Sequence, residues 1–279
     1  MSDKIFFDVV NMSITGSFAI LIIILVRLLL RKAPKVFSYT LWFVAFFRLL
    51  VPFSFESVLS ILPFNTTPLS TDMLYIETPC VKTGIKAIDN VINPVVATEI
   101  FGSSVNVYQA FTFCGKIIWY IGVFIFLLHS IRSYFKLKEK LQNAVLLRDN
   151  IYITQTISTP FAIGLRNPKI YLPSNLASTQ EYVIAHEQAH LSRHDNLAKV
   201  IGYVILVLHW FNPLVWIAFK LFVTDMEMSC DERVIRKVKT DIRKEYSQSL
   251  LDLSIEKSTL GVPMAFAEGS PKERIINIM

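Results

Sequence analysis

Apolar and polar stretches alternate along the chain on the length scale of a lipid bilayer. Three runs of mainly apolar residues lie at about residues 13–30, 39–62 and 110–131. A helix of about 20 apolar residues is long enough to cross a hydrocarbon layer of roughly 30 Å. Between the second and third runs, residues 63–107 are polar and carry more acidic than basic side chains. The pattern predicts three transmembrane helices within residues 1–131, with an external loop at 63–107.

The positions of the basic residues predict how these helices are oriented. Lys and Arg residues follow the first and third runs, and such residues are enriched in cytoplasmic loops. The amino terminus is therefore expected outside the cell, and residues 132–279 are expected to form a domain that faces the cytoplasm. Arg48 lies within the second run, where an ionised group is costly. Its position fits a structural pairing with Glu56 and a role in signalling equally well.

The composition supports a membrane protein. Of the 279 residues, 53% are hydrophobic and 18% are charged, whereas about a quarter of the residues in a soluble domain are charged. The net charge of +6 could suggest nucleic acid, but the basic residues gather beside the apolar runs, as expected near anionic lipid. Direct nucleic-acid binding is therefore not expected. The three cysteines have neither metal-binding nor redox spacing.

A His-Glu-x-x-His motif at residues 186–190 is the clearest chemical signal in the chain. Residues four apart on a helix lie on one face, so both imidazoles can reach one metal ion. Glu187, one position along, can then act on water at that ion. The pair Ser178 and Glu181 has the form of a capping box for this helix. The alternative is a chance pattern of polar residues on a solvated helix face.

A catalytic zinc ion needs a third protein ligand besides two histidines. His194 lies one turn beyond His190 on the same helix, and His209 is the last histidine in the chain. Three sites on one helix face do not wrap comfortably around a tetrahedral ion. The third ligand is therefore expected to be a downstream acidic residue.

Helical phase selects this ligand among the acids downstream. On a helix from about residue 213 to 239, Glu227 and Asp231 share one stripe with three valines, whereas Asp225 and Glu232 lie on the opposite side. Glu227 is thus the candidate third ligand. Asp231, one turn on, is placed to hydrogen-bond a ligating histidine.

The apolar stretch from Val200 to Phe219 is as long as a fourth membrane span. If His190 and Glu227 bind the same ion, however, the chain between them cannot end on the far side of the bilayer. Asn212-Pro213 predicts a break in the middle of the stretch. We therefore predict a membrane-associated helical hairpin at about residues 200–224.

Short β-type stretches precede the motif helix, at residues 151–156 and 169–172. They predict a small β-hairpin. Such an edge can hold an extended peptide by strand addition, or it can serve only as a packing ribbon beneath the helix. Near the end of the chain, residues 270–273 have the form of a second capping box and predict the start of another helix.

Taken in chain order, these residues resemble the BlaR/MecR family of antirepressor membrane metallopeptidases. The resemblance rests on Leu41-Trp42 with Arg48 and Pro52, the segment from Pro160 to Pro173, the motif at 186–190 with Arg193 and Asp195, the segment from His209 to Pro213, Glu227 with Cys230-Asp231-Glu232, and the segment from Lys272 to Ile275. These matches cover nearly the whole chain.

The resemblance implies a mainly α-helical membrane protein with a gluzincin-type peptidase domain. In such a domain Zn²⁺ is held by His186, His190 and Glu227, and Glu187 is the general base. The resemblance also implies proteolysis of a cytoplasmic repressor in signal transduction linked to antibiotic resistance, with self-cleavage on activation. No penicillin-binding sensor domain fits after residue 279. The chain is therefore expected to be a fragment, or a short homologue that receives its input from a separate sensor protein.

Supporting roles are expected for further polar residues. Asp195, Asp231 and Arg193 are candidates to hold the metal ligands in place, and His194 and His209 are candidate oxyanion donors or structural polar residues. A homodimer is compatible with the sequence. The alternative function is a catalytically silent membrane receptor or scaffold that relays an external signal by helix movement. A transporter or channel is disfavoured because the helices show no internal repeats.

Overall fold

A computed structural model describes the fold of residues 2–51, 90, 107–164, 166–174, 180–237, 242–257 and 271–279. These residues are mostly helical and include one small sheet. The helices are α1 (Ser2–Leu29), α2 (Lys35–Leu50), α3 (Val107–Lys140), α4 (Gln180–Arg193), α5 (Asp195–Leu208), α6 (Pro213–Lys237), α7 (Arg243–Lys257) and α8 (Pro271–Ile278). The strands are β1 (Val145–Arg148), β2 (Ile151–Thr154), β3 (Phe161–Ile163) and β4 (Lys169–Pro173).

Two helices are long and apolar enough to cross a membrane. These candidate spans are Asp3–Lys32 and Gln109–Lys140, and they correspond to α1 and α3. Many of their large apolar side chains are exposed in the isolated chain, including Leu28, Phe111 and Phe124. Such exposure suits contact with lipid rather than with water. The second predicted span is represented by α2, and its remainder, with Glu56 and almost all of the loop at 63–107, lies outside the described residues.

The chain turns back sharply between α1 and α2. The last turn of α1 tightens into a 3₁₀ helix at Leu30–Lys32, and Ala33 is extended, with φ −84° and ψ 159°. Ala33 precedes Pro34, and a residue before proline is driven away from the helical region by its contact with the ring. The turn lets α2 pack along α1.

Helices α5 and α6 divide the long apolar stretch at the Asn-Pro pair. Helix α5 ends at Leu208, and α6 begins at Pro213, since proline fits the first position of a helix. The Asn212 side-chain oxygen accepts a hydrogen bond from the Leu214 backbone N–H at 2.9 Å and so caps α6. The Asn212 amide also donates to hydroxyls of α1, which fastens the tip of the α5–α6 pair to that helix.

The largest core is shared between the first two helices and the α5–α6 pair. Its buried members are Ile20, Ile23, Tyr39, Trp42, Ala45, Phe46, Leu49, Ala198, Ile205, Leu206, Val215, Ala218, Phe219, Phe222, Val223 and Met226. Helix α3 lies beside this core, where Trp119 donates its indole N–H to the Leu208 carbonyl at 2.8 Å. The predicted division of the chain at residues 131 and 132 falls inside α3.

The strands form a four-stranded mixed sheet in the order β1-β2-β4-β3, and this corrects the predicted hairpin. The two predicted stretches, β2 and β4, do pair, but they run parallel, with Ile151 opposite Ile170. Each has its antiparallel partner elsewhere, β1 for β2 and β3 for β4. The chain between β2 and β4 forms β3 on the far edge, so it acts as a crossover, and parallel pairing requires such a connection.

The sheet positions the motif helix. Ile151, Ile170 and Leu172 are buried against Val183 and Ile184 on one side of α4. The opposite side of α4 faces α6 and α7, where Ala189 joins a second core. Helix α4 is therefore held between the sheet and two helices, with its histidines directed toward α6.

Candidate metal centre

Three buried side chains from two helices meet at one point. His186 and His190 come from α4, and Glu227 comes from α6. The Nε2 atoms of the two histidines are 3.1 Å apart. The Glu227 Oε2 atom lies 3.2 Å from Nε2 of His186 and 3.4 Å from Nε2 of His190. The side chains named from helical phase are therefore brought together in space.

The separations of these donor atoms fit a divalent cation. A zinc ion binds histidine nitrogen and carboxylate oxygen at about 2.0–2.1 Å in tetrahedral geometry. Ligand atoms in such a tetrahedron lie about 3.3 Å from one another. The observed separations of 3.1, 3.2 and 3.4 Å match that spacing. These residues could hold a metal ion without a large rearrangement.

The second ring nitrogen of each histidine has its own acceptor. The Nδ1 atom of His190 lies 2.8 Å from Asp195 Oδ2. The Nδ1 atom of His186 lies 2.9 Å from the Tyr246 hydroxyl and 3.2 Å from Asp231 Oδ1. Because the Tyr246 hydroxyl donates to Asp231, its oxygen is free to accept from His186. With a metal ion bound, these acceptors would keep the proton of each ring on Nδ1 and leave the Nε2 lone pair for the ion.

The bend between α4 and α5 brings Asp195 back to His190. The bend is a single residue, His194, whose backbone is left-handed with φ 59° and ψ 33°. This conformation is uncommon for a residue with a side chain, although histidine is among those enriched in it. The bend makes Asp195 the first residue of α5, five positions from His190, from whose Nδ1 its carboxylate accepts a hydrogen bond.

Charge around Glu227 favours its ionised form. Burial alone would raise the pKa of this carboxyl, but the Lys199 ammonium and the neighbouring histidines outweigh it and hold the pKa well below its ordinary value. The Lys199 Nζ atom donates to Glu227 Oε1 at 3.1 Å. The other oxygen, Oε2, is the one near both imidazoles. The carboxylate is therefore charged and has one oxygen directed at the centre.

The negative charge of Asp231 is balanced by Arg274, an arginine of the last helix. Burial would raise the pKa of Asp231, yet the charge and hydrogen bonds of Arg274 outweigh this and lower it to about 2. Two guanidinium nitrogens donate to the two carboxylate oxygens, at 2.8 and 2.6 Å. Both side chains are buried, with Asp231 fully so. This bidentate pair ties α8 to α6 directly beside the candidate metal ligands.

The remaining polar residues around His190 form a supporting network. Arg193 donates to Asp195 and, at 2.8 Å, to the Ser229 hydroxyl. Burial raises the pKa of the Cys230 thiol, so the sulfur stays protonated and donates to Asp195 Oδ2 at 3.4 Å. Cys230 also approaches His190 Nδ1 at 3.2 Å. His190, Asp195 and Cys230 also lie close enough together to hold a metal ion. Their hydrogen bonds to one another account for this arrangement.

The two candidate oxyanion donors are not brought to the centre. His194 is exposed at the bend after α4. His209 is buried beyond the opposite end of α5, where its Nε2–H donates to the Leu49 carbonyl at 3.0 Å. Helix α5 separates it from Asp195 by roughly 20 Å. Glu187, in contrast, is buried at 6% exposure beside His186 on α4.

Several groups at the centre carry no local signal in the sequence. Tyr246 reaches His186 from α7, and Arg274 reaches it from α8, with Nη2 3.3 Å from His186 Nε2. Tyr39 reaches Asp195 from α2, and Lys199 reaches Glu227 from α5. The segment around Arg274 was among those that carried the family resemblance, so that resemblance was the one available signal.

The chain is mostly helical, has two apolar helices long enough to cross a membrane, and buries two histidines and a glutamate as possible metal ligands. These features together are those of a membrane-type protein with a candidate metal centre. The family model for the BlaR1 peptidase M56 matches residues 7–278, and the chain belongs to this family. The resemblance to BlaR and MecR proteins inferred from the motifs is thereby confirmed.

Curated relatives are regulatory and resistance proteins. The chain is 28% identical to the regulatory protein BlaR1 of Bacillus licheniformis over 223 residues, which cover 65% of this chain and 37% of that protein. It is 23% identical to the methicillin resistance mecR1 protein of Staphylococcus aureus over 277 residues, which cover 88% of this chain and 46% of that protein. The chain thus spans less than half the length of these relatives.

Proposed function

We propose that the protein is a zinc-dependent endopeptidase of the bacterial cell membrane. The observation that carries the proposal is the approach of His186, His190 and Glu227 to within 3.1–3.4 Å of one another. Each histidine is also oriented through its other nitrogen by a carboxylate or tyrosine, as ligating histidines in zinc enzymes are. Membership of a peptidase family supports the same function.

In the proposed reaction, the chain's own residues bind the ion and move a proton. His186, His190 and Glu227 would hold Zn²⁺, which supplies Lewis acidity for peptide hydrolysis when it is bound. Glu187 accepts a proton from the attacking water and returns it to the leaving amine. Asp195 and Asp231 keep both imidazoles in the tautomer that offers Nε2 to the ion. Arg193 and Arg274 balance the charge of these two carboxylates.

The packing supports a site near the cytoplasmic face. Asp3 at the start of α1 pairs with Lys116 near the start of α3, so these helices run in the same direction. Arg27 at the other end of α1 binds Asp225 on α6, half a turn from Glu227. Because basic residues follow both spans, that end is expected in the cytoplasm. The amino terminus is then outside, and the α5–α6 pair enters the bilayer from the cytoplasmic side.

We further propose that the substrate is a cytoplasmic repressor-like protein and that cleavage is part of signal transduction. The support comes from the relatives, one a regulatory protein and one a methicillin resistance protein. A site at the cytoplasmic face, as proposed above, would be accessible to such a substrate. A separate sensor protein and a homodimer both remain compatible with this proposal.

Metal content tests the proposed site. Wild-type protein in lipid nanodiscs is expected to bind about one zinc ion per chain, measured by inductively coupled plasma mass spectrometry after dialysis. Glu227→Ala removes one proposed ligand. Loss of a residue that only hydrogen-bonds a ligand lowers metal affinity by about 10- to 100-fold, so the zinc affinity of Glu227→Ala is expected to fall by more than about 100-fold. Glu245→Ala, which removes an exposed carboxylate of α7, is the matched control. Equal zinc content in the two variants would contradict the assignment of Glu227.

Proton release on metal binding provides an independent test. Burial would lower the pKa of His190, but Glu227 and the other groups around it outweigh burial and raise this pKa well above 6.5. The metal-free site therefore holds a proton at pH 7, and zinc must displace it. Titration calorimetry at pH 7 in two buffers of different ionisation enthalpy is expected to show about one proton released per zinc ion. Heats that do not depend on the buffer would rule out a protonated resting site.

A further inference from the structure

One side chain of helix α2, which represents the second predicted span, reaches the candidate metal centre through a single carboxylate. The Tyr39 hydroxyl donates to Asp195 Oδ1 at 2.8 Å. The other oxygen of the same carboxylate, Oδ2, accepts from His190 Nδ1 at 2.8 Å. Tyr39 and Asp195 are 156 positions apart in the chain, so this contact depends entirely on the packing of α2 against α5. A helix of the first half of the chain thereby touches the orienting partner of a candidate zinc ligand.

The hydroxyl of Tyr39 is held in a fixed place. The side chain is buried, at 7% exposure, and its ring stacks on Phe222 of α6, with centroids 5.6 Å apart and planes at 23°. The Arg193 guanidinium lies over the same ring at 4.6 Å. One turn along α2, the Trp42 indole N–H donates to Asp225 Oδ2 at 2.9 Å. The position of α2 therefore determines the position of the hydroxyl.

We infer that Tyr39 is a positioning residue for the metal centre: through Asp195 it orients His190, and it thereby makes the ligand geometry depend on the position of α2. The inference rests on the proposed zinc function and adds a route by which that site can be regulated. A hydrogen bond of 2.8 Å is lost when the donor moves by little more than half an ångström. A slide of α2 by one residue, about 1.5 Å, would release Asp195 from the hydroxyl.

The other groups that contact the Asp195 carboxylate do not replace the hydrogen bond from Tyr39. Arg193 reaches Oδ1 at 3.2 Å and Oδ2 at 3.0 Å, so it neutralises the carboxylate but approaches both oxygens. The Cys230 thiol donates only to Oδ2. The Tyr39 hydroxyl makes a shorter hydrogen bond to Oδ1, at 2.8 Å, than either nitrogen of Arg193 does, at 3.2 Å. By holding one oxygen in place, it fixes the orientation of the carboxylate in which the other oxygen faces His190.

The test is zinc affinity in Tyr39→Phe, which keeps the stacked ring and deletes only the hydroxyl. The matched control is Tyr203→Phe, whose hydroxyl bonds Ser130 at 2.7 Å, away from the metal ligands. Affinity is measured by competition with a chromogenic chelator on the 279-residue chain in nanodiscs. Tyr39→Phe is expected to bind zinc about 10-fold more weakly than the wild type. This is the smaller end of the loss usually seen when a residue that supports a metal ligand is replaced. Tyr203→Phe is expected to bind as the wild type does.

A second readout separates positioning from a general loss of stability. The visible spectrum of the Co²⁺-substituted protein reports ligand geometry, and it is expected to change in Tyr39→Phe but not in Tyr203→Phe. In an Asp195→Asn background, adding Tyr39→Phe should cause no further loss of affinity, because the two residues act in series. The inference would be overturned if the losses of zinc affinity from Asp195→Asn and Tyr39→Phe were additive. It would also be overturned if the wild type, Tyr39→Phe and Tyr203→Phe bound zinc equally well. Either result would leave the zinc proposal standing. Wild-type protein that binds no zinc would overturn both.

Discussion

Replacing Glu187 by glutamine is expected to lower proteolysis by about 100- to 10,000-fold, the contribution usual for a general acid–base residue. The amide keeps the size of the side chain but cannot take a proton from water. The variant should still bind about one zinc ion, since its ligands are the neighbouring His186 and His190 with Glu227. Cleavage is measured by mass spectrometry of new amino termini in a cytosolic extract incubated with the protein in nanodiscs.

The control for this prediction is Glu181→Gln, an exposed carboxylate on the same helix. It should generate the same new termini as the wild type, and at least one of them should belong to a small DNA-binding repressor. If Glu187→Gln cleaves as well as the wild type, Glu187 has no part in the reaction. If wild type and variant both bind zinc but yield no new termini, the catalytically silent receptor becomes the better description.

Replacing Arg274 by alanine is expected to lower the stability of the folded chain more than any other substitution proposed above. Asp231 is fully buried, and Arg274 supplies the charge and two hydrogen bonds that keep its pKa at about 2. Removing one partner of a buried ion pair costs about 3–5 kcal/mol because the other charge is left uncompensated. Amide hydrogen exchange in α8 is therefore expected to accelerate by at least on the order of 100-fold.

Lys272→Ala is the control on the same helix, because its side chain is exposed, and it should leave exchange unchanged. The double variant Asp231→Asn with Arg274→Met removes both charges and should recover part of the lost stability. Unchanged exchange in Arg274→Ala would mean that the pair does not hold α8 in place. The same result would remove the reason for treating the last helix as part of the metal centre.

The candidate metal ligands could be named from the sequence because their positions on two helices follow from local helix geometry. The spacing of His186 and His190 puts both rings on one face of any helix. The choice of Glu227 over Asp225 needed only the phase of one further helix. Phase alone did not show that Asp225 is also buried, against Arg27 and Trp42, because helix α6 is packed on both sides. Hydrophobic pattern reports that a face is buried, but it does not report the partner.

The sheet shows the opposite case, in which local pattern was insufficient. The stretches at 151–156 and 169–172 have the composition of strands, and both are strands. Their relative direction depends on the path of the chain between them, where three residues of β3 pair on the far edge of β4. Two strands of the same composition fit a parallel or an antiparallel ladder. The hairpin prediction failed for that reason.

By itself, the sequence determined the apolar runs, the break at Asn212-Pro213, the motif at 186–190 and the acid on the matching helix face. These features depend on residues within a few turns of one another. Only the tertiary structure decided that Tyr246 and Arg274 reach His186, that Tyr39 reaches Asp195, and that His209 lies away from this centre. Such contacts join residues up to 156 positions apart, and their geometry follows from how whole helices pack, which no short window of sequence contains.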